Sequence, residues 1–200
     1  MSDNLGRMMI TRRSGSERFS NRGADLDIDL LGFWQWSMSD LMSNTARGVV
    51  AEYIVAKASG VDVSGVREGW TAYDLQTKSG IKIEVKSSAY LQSWHQTALS
   101  KVSFSVRKAR AWDADTNVLK GEAVRQADVY VFALLAHKDK ATVNPMDVSQ
   151  WEFFVVPTSA LNARTRSQHS ITEKSLRKLS GGPLDYSHLR AAVERAARGG

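Results

Sequence analysis

The chain has 200 residues, 42% hydrophobic and 24% charged, with a net charge of +6 and no cysteine. That content suits one globular domain with a substantial core, and it excludes disulfides, zinc–thiolate sites and cysteine-ligated iron–sulfur clusters. No apolar run approaches the ~18 residues of a membrane span, and the amino terminus has no apolar signal region, so no membrane partner is expected and the expected location is the cytoplasm. The basic surplus permits a polyanionic partner without requiring one.

Residues 1–24 are polar, hold five arginines and show no periodicity. They read as a flexible basic tail, or as a basic arm along a phosphate backbone. Residues 25–200 read as a single domain. Asp25, Asp27 and Asp29 alternate with Leu26, Ile28 and Leu30, which suits a short edge strand with an acidic outer face. The same carboxylates would suit a cation, but no histidine or basic residue accompanies them.

A helix is expected from Ser39 or Asp40 to Ser59, stopped by Gly60. Ala46, Val49, Val50, Tyr53 and Ala56 form its apolar stripe, with Glu52 on the border. Residues 61–69 read as a loop. A hairpin follows, with strands Trp70–Gln76 and Ile81–Ser87 joined by Lys78, Ser79 and Gly80. Ile81, Ile83 and Val85 share one face; Lys82, Glu84 and Lys86 share the other. Glu84 and Lys86 are then about 6.6–6.8 Å apart along the strand, and the turn can return Asp74 beside Glu84.

Lys101–Arg107 alternates as a strand, with Val102, Phe104 and Val106 on one side. Residues 108–124 read as an excursion whose Asp113, Asp115 and Asn117 are turn residues. Asp128–Leu135 is a near-continuous apolar run, the pattern of a central strand covered on both faces. Trp151–Val156 reads as another buried strand, ended by Pro157. Helices are expected near residues 158–164, 170–179 and 187–197. The order predicts an α/β fold, a mixed central sheet flanked by helices.

Two carboxylates and a lysine at a strand end are poorly explained by core packing, and well explained by a divalent cation and a water to be activated. Asp74, nine intervening residues, then Glu84-Val85-Lys86 resembles the PD-(D/E)XK nuclease superfamily, which includes restriction endonucleases. The preceding helix with Glu52, and the polar Ser87, Tyr90 and Gln92 after the lysine, extend the resemblance. Tyr73 stands where the motif has proline.

The resemblance implies a restriction-endonuclease-like core and a metal-dependent endonuclease hydrolysing DNA phosphodiester bonds, in restriction, defence or repair. It implies Mg2+, with Mn2+ able to substitute. Asp74 and Glu84 are the expected ligands, with the Val85 carbonyl as a third, and Glu52 leaning over the metal. Lys86 orients the attacking water and stabilises charge. Ser87 and Gln92 are candidate phosphate contacts. Cutting both strands would need two sites, so a homodimer is an expectation, although no heptad or interface pattern supports it.

The competing class is a non-catalytic nucleic-acid-binding module that keeps the nuclease fold. Two carboxylates beside DNA argue against it, because without a cation they repel phosphate. The four histidines lack metal spacing. Ser187, His188 and Asp185 are neighbours in sequence only, which does not make a triad. No glycine pattern for phosphate binding occurs.

Overall fold

A computed structural model of the chain describes residues 5–199. Its first elements are a hairpin, β1 (Arg18–Asn21) and β2 (Ala24–Asp29), then α1 (Leu30–Met38) and α2 (Asn44–Ser59). The strands β3 (Leu75–Gln76), β4 (Lys82–Ala89) and β5 (Ser103–Ser105) follow, then a second hairpin, β6 (Ala109–Asp113) and β7 (Val118–Val124). The strands β8 (Val129–Leu135) and β9 (Trp151–Pro157) precede α3 (Thr158–Asn162) and β10 (Ser170–Thr172). Helices α4 (Glu173–Ser180) and α5 (Leu189–Arg198) end the chain.

The predicted α/β class and mixed central sheet are observed. Four strands lie in the order β3, β4, β8, β9. β3 and β4 are antiparallel, β4 and β8 parallel, and β8 and β9 antiparallel. Every residue of β8 is buried, as its unbroken apolar run requires. Its alternate side chains serve two cores. Val129, Val131, Ala133 and Leu135 meet Ala51 and Val55 of α2 and Leu189 and Val193 of α5. Tyr130, Phe132 and Leu134 meet Phe104 of β5, Leu161 of α3, Ile171 of β10 and Leu176 of α4. In β4, Ile83 and Val85 join the α2 side, so Glu84 and Lys86 project from the opposite face.

Several elements depart from expectation. Residues 1–4 of the predicted tail lie outside the described residues, but the rest does not run free. β1 pairs with β2 across the expected boundary at residue 24. The tight turn uses Arg22 and Gly23, both at positive φ. Arg7 pairs with Glu68, and the Arg12 guanidinium donates to the Ser64 carbonyl. Long-range pairing thus orders a polar stretch that lacks local periodicity.

The long helix expected from Ser39 begins instead at Asn44. The Asp40 carboxylate accepts the N–H groups of Met42 and Ser43 in a turn, and the Ser43 hydroxyl caps α2 by accepting the Ala46 N–H. Gly60 ends α2 at φ 69, as expected. The separate helix α1 is capped by the Asp29 carboxylate, which accepts the Gly32 N–H. Residues 170–179 divide into β10 and α4, because Ser170–Thr172 pairs with β5 before Thr172 caps the helix.

The expected strand Trp70–Gln76 shortens to Leu75–Gln76. Asp74 supplies the reason: its N–H donates to the Ile83 carbonyl, but its carboxylate, not a backbone carbonyl, accepts the Val85 N–H. The side chain ends the ladder where the next backbone bond would fall. Residues 108–124 fold as β6 and β7, and Asp113 accepts the N–H groups of Asp115 and Thr116 as a turn residue does.

Candidate active site at the end of strand β3

The hairpin returns Asp74 to β4 as its turn chemistry predicts, with Gly80 at φ 89 in the connection. Asp74 Oδ2 lies 2.7 Å from the Val85 nitrogen. Within a strand, the N–H and C=O of one residue leave on the same edge. The Val85 carbonyl therefore points to the edge occupied by Asp74, beyond the end of β3. The Lys86 ammonium donates to Glu84 Oε1.

Glu52 reaches the region from α2, on the other side of β4. It shares with Asp74 a cleft of about 530 Å³, walled also by Tyr53, Arg67, Thr71 and Tyr73. Arg67 comes from the loop between α2 and β3 and grips Glu52 with two donors, Nε and a terminal nitrogen at 2.8 Å. The glutamate is nearly enclosed while the arginine is about half exposed. This pairing holds the Arg67 pKa above its ordinary value, with Asp74 adding a smaller push.

The carboxylates press on one another. Asp74 is pushed up to about 6, first by burial, then by the neighbouring charge of Glu84, with Glu52 adding to it. The Val85 N–H and Lys86 pull in the other direction. Tyr130 stands opposite Glu84 in the parallel register. Burial raises its hydroxyl to about 12, and Glu84 and Asp74 add to the rise. Tyr130 is therefore a neutral phenol on the same face as Glu84.

Ser87 and Gln92 are placed differently from the acidic group. The Ser87 hydroxyl accepts from Arg47 Nε at 3.3 Å. Gln92 is 8% exposed, and its amide is spent within the fold on Ala89, Ser100 and Arg47. Arg47 is 3% exposed and also donates to the Met42 carbonyl and to Asn44 Oδ1. Among the described residues its hydrogen-bond partners are all neutral, and burial lowers its pKa. It ties the amino-terminal turn of α2 to the far end of β4. Two of the alternating aspartates have structural partners: Asp27 pairs with Arg18, and Asp29 caps α1.

Arg67, Tyr130 and Arg47 were not singled out from the sequence. Arg67 lies in a loop without periodicity. Tyr130 reaches the site only through strand register, and Arg47 sits on a helix face next to the apolar stripe.

Among the described residues, no three carboxylate or histidine side chains form a ready-made metal cage. The donors at the end of β3 are two carboxylates and one carbonyl. That set fits a hard cation that keeps several waters, as magnesium does when one or two carboxylates and a phosphate hold it.

The family model described as bacteriophage T4 endonuclease IV matches residues 2–171 of the chain, a span that includes the whole central sheet and every candidate site residue. No curated protein matches it.

Proposed function

The chain belongs to the bacteriophage T4 endonuclease IV family, and from that membership we propose that it is a metal-dependent endonuclease that hydrolyses DNA at a site of the PD-(D/E)XK type. One observation carries the reading. Asp74 and Glu84 converge where β3 ends and leaves the sheet edge open, with Lys86 bound to Glu84.

Asp74, Glu84 and the Val85 carbonyl would hold Mg2+, or Mn2+ in its place, with Glu52 reaching it directly or through water. The cation would supply Lewis-acid stabilisation of the phosphate and a more acidic water. The protein's own residues do the positioning. The Val85 N–H fixes Asp74 Oδ2, which leaves Oδ1 as the donor. Lys86 is held by Glu84, close to the developing charge of the attacked phosphate, and serves there in orientation and charge stabilisation. Tyr130 stays protonated and is a hydrogen-bond donor to oxygen, not an alternative nucleophile. Cutting both strands of a duplex in one event would take two such sites, which a homodimer would supply. A role in restriction, defence or repair is consistent with this activity.

Incubation of supercoiled plasmid and single-stranded circular DNA with Mg2+ or Mn2+ tests the proposal. Wild-type protein should nick or linearise one of them, and Lys86→Ala should lose at least a hundredfold in rate while keeping its fold. Cutting that survives in Lys86→Ala would remove the site from the proposal. Salt-dependent DNA binding without cutting in any cation would favour the non-catalytic binding module.

A further inference from the structure

We propose that Trp70 is a stacking platform for a base of the DNA strand whose backbone is cut at Asp74, an assignment that rests on the proposed endonuclease activity. Trp70 is 76% exposed and lies in the irregular segment that leads into β3. It belongs to neither hydrophobic core. Tryptophan is large and on average well buried, so folding alone does not explain an indole left in water.

The ring is held in place nonetheless. Its centroid lies 5.4 Å from that of Trp112 in β6, with the two planes tilted by 58°. Such a tilt is a favourable aromatic contact, and at this exposure it leaves most of the Trp70 indole uncovered. Trp112 is fixed in turn: its Nε1–H donates to Asn117 Oδ1 in the hairpin turn, and it pairs with Leu119 across the hairpin. The chain on either side of Trp70 is tied as well. Glu68 is bound by Arg7 at 2.9 Å, and the Thr71 hydroxyl donates to the Tyr73 carbonyl. A ring that is already ordered binds a partner at a lower entropic cost.

Position and size select the occupant. Glu68, Thr71 and Tyr73 wall the cleft that contains Asp74, so Trp70 stands at its rim. Asp74 follows Trp70 by four positions, which limits their Cα separation to about 14 Å. A base on Trp70 is then within a few nucleotides of a phosphate held at Asp74 and Glu84. The exposed parts of Trp70, Trp112 and Leu119 come to about 400 Å² at most, half of the ~800 Å² that each partner gives to a standard protein interface. That is too little for a second protein and ample for the flat face of one base. Every base has such a face, so the contact needs no particular sequence. Two carboxylates beside the pair are matched, Glu68 by Arg7 and Asp113 by Lys120, which lessens their repulsion of a phosphate backbone.

The test is fluorescence-anisotropy titration of the full chain with labelled single-stranded DNA, in chelator so that no cutting competes. A strand of equal length built from abasic sites is titrated beside it. On the base-bearing strand Trp70→Ala should bind about 5- to 150-fold more weakly than wild type. Trp70→Leu, which keeps apolar bulk against Trp112 but has no π-face, should lose nearly as much, and Trp70→Phe should recover most of the loss. On the abasic strand wild type and all three variants should bind alike, because the phosphates are the same and there is no base to stack. For the same reason the slope of log affinity against log salt should not change. Equal binding of wild type, Trp70→Ala and Trp70→Leu to the base-bearing strand would overturn the inference. So would a loss equally large on the abasic strand, which would mean that Trp70 only props the hairpin. Either result, with wild type still cutting plasmid, leaves the proposed activity standing. A wild type that binds neither strand also overturns the inference, and the plasmid assay then judges the activity by itself.

Discussion

Replacing Asp74 by asparagine should make the protein more stable and remove its cutting activity. Folding lifts the Asp74 carboxyl from 3.8 to about 6, chiefly through burial and the adjacent Glu84. For a carboxyl raised in the folded state, the protonated form favours folding. That stability is fully present below about pH 4 and is lost as the pH rises through about 6. At about 1.4 kcal/mol per unit, an ionised Asp74 costs the folded protein about 2–3 kcal/mol at neutral pH. Asparagine keeps an oxygen for the Val85 N–H and carries no charge, so it removes that cost. For a chain of this length, the melting temperature near pH 8 should rise by roughly 4–12 °C. The gain should shrink toward zero near pH 4, where wild type is protonated as well. Thermal melts of both proteins in chelator, at several pH values, measure it. An Asp74→Asn melting temperature equal to wild type at pH 8, or a gain independent of pH, would refute the repulsion argument.

Cutting should rise with pH through about 6 as Asp74 ionises, and the inflection should move lower as Mg2+ is raised, because a bound cation favours the carboxylate; an inflection insensitive to the metal would separate Asp74 from the cation. Arg67→Ala leaves Glu52 without its counter-charge, so Mn2+ should bind more tightly by calorimetry, while DNA binding in chelator weakens as a guanidinium leaves the cleft; a drop in metal affinity would assign Arg67 a merely structural role. Arg47→Met strands the acceptors of Met42, Asn44, Ser87 and Gln92, and denaturant unfolding should show a loss of about 2–4 kcal/mol. Arg47→Lys should not rescue it, because an ammonium cannot reproduce the planar fork. Phe132→Ala should lose about 3–5 kcal/mol, since Phe132 is fully buried between Phe104 and Tyr130.

Elements whose signal is local could be read in the chain alone. The run Asp128–Leu135 announced a strand covered on both faces, and it is the buried β8. Gly60 marked the end of α2. Lys78–Gly80 marked the turn that returns Asp74 to β4. Errors fell where distant partners override local pattern. The alternation through Asp29 read as a short edge strand, which is β2, but it gave no sign that Asp29 also caps the helix that follows. The polar residues before 24 read as a tail, yet they pair with β2 and with the loop at 64–68. Gln92 looked available to a phosphate, but it faces inward onto Arg47 and Ser100.

The sequence by itself determined the helix ending at Gly60, the strands of the central sheet and the placing of Glu84 and Lys86 on one strand face, because periodicity and turn chemistry act over a few residues. Only the tertiary structure decided which charges meet. Arg67 on Glu52 is 15 residues distant, Tyr130 reaches Glu84 through strand register, and Asp74 ends the β3 ladder with its own carboxylate. Burial and Coulomb forces act through space, and the folded chain alone sets those distances.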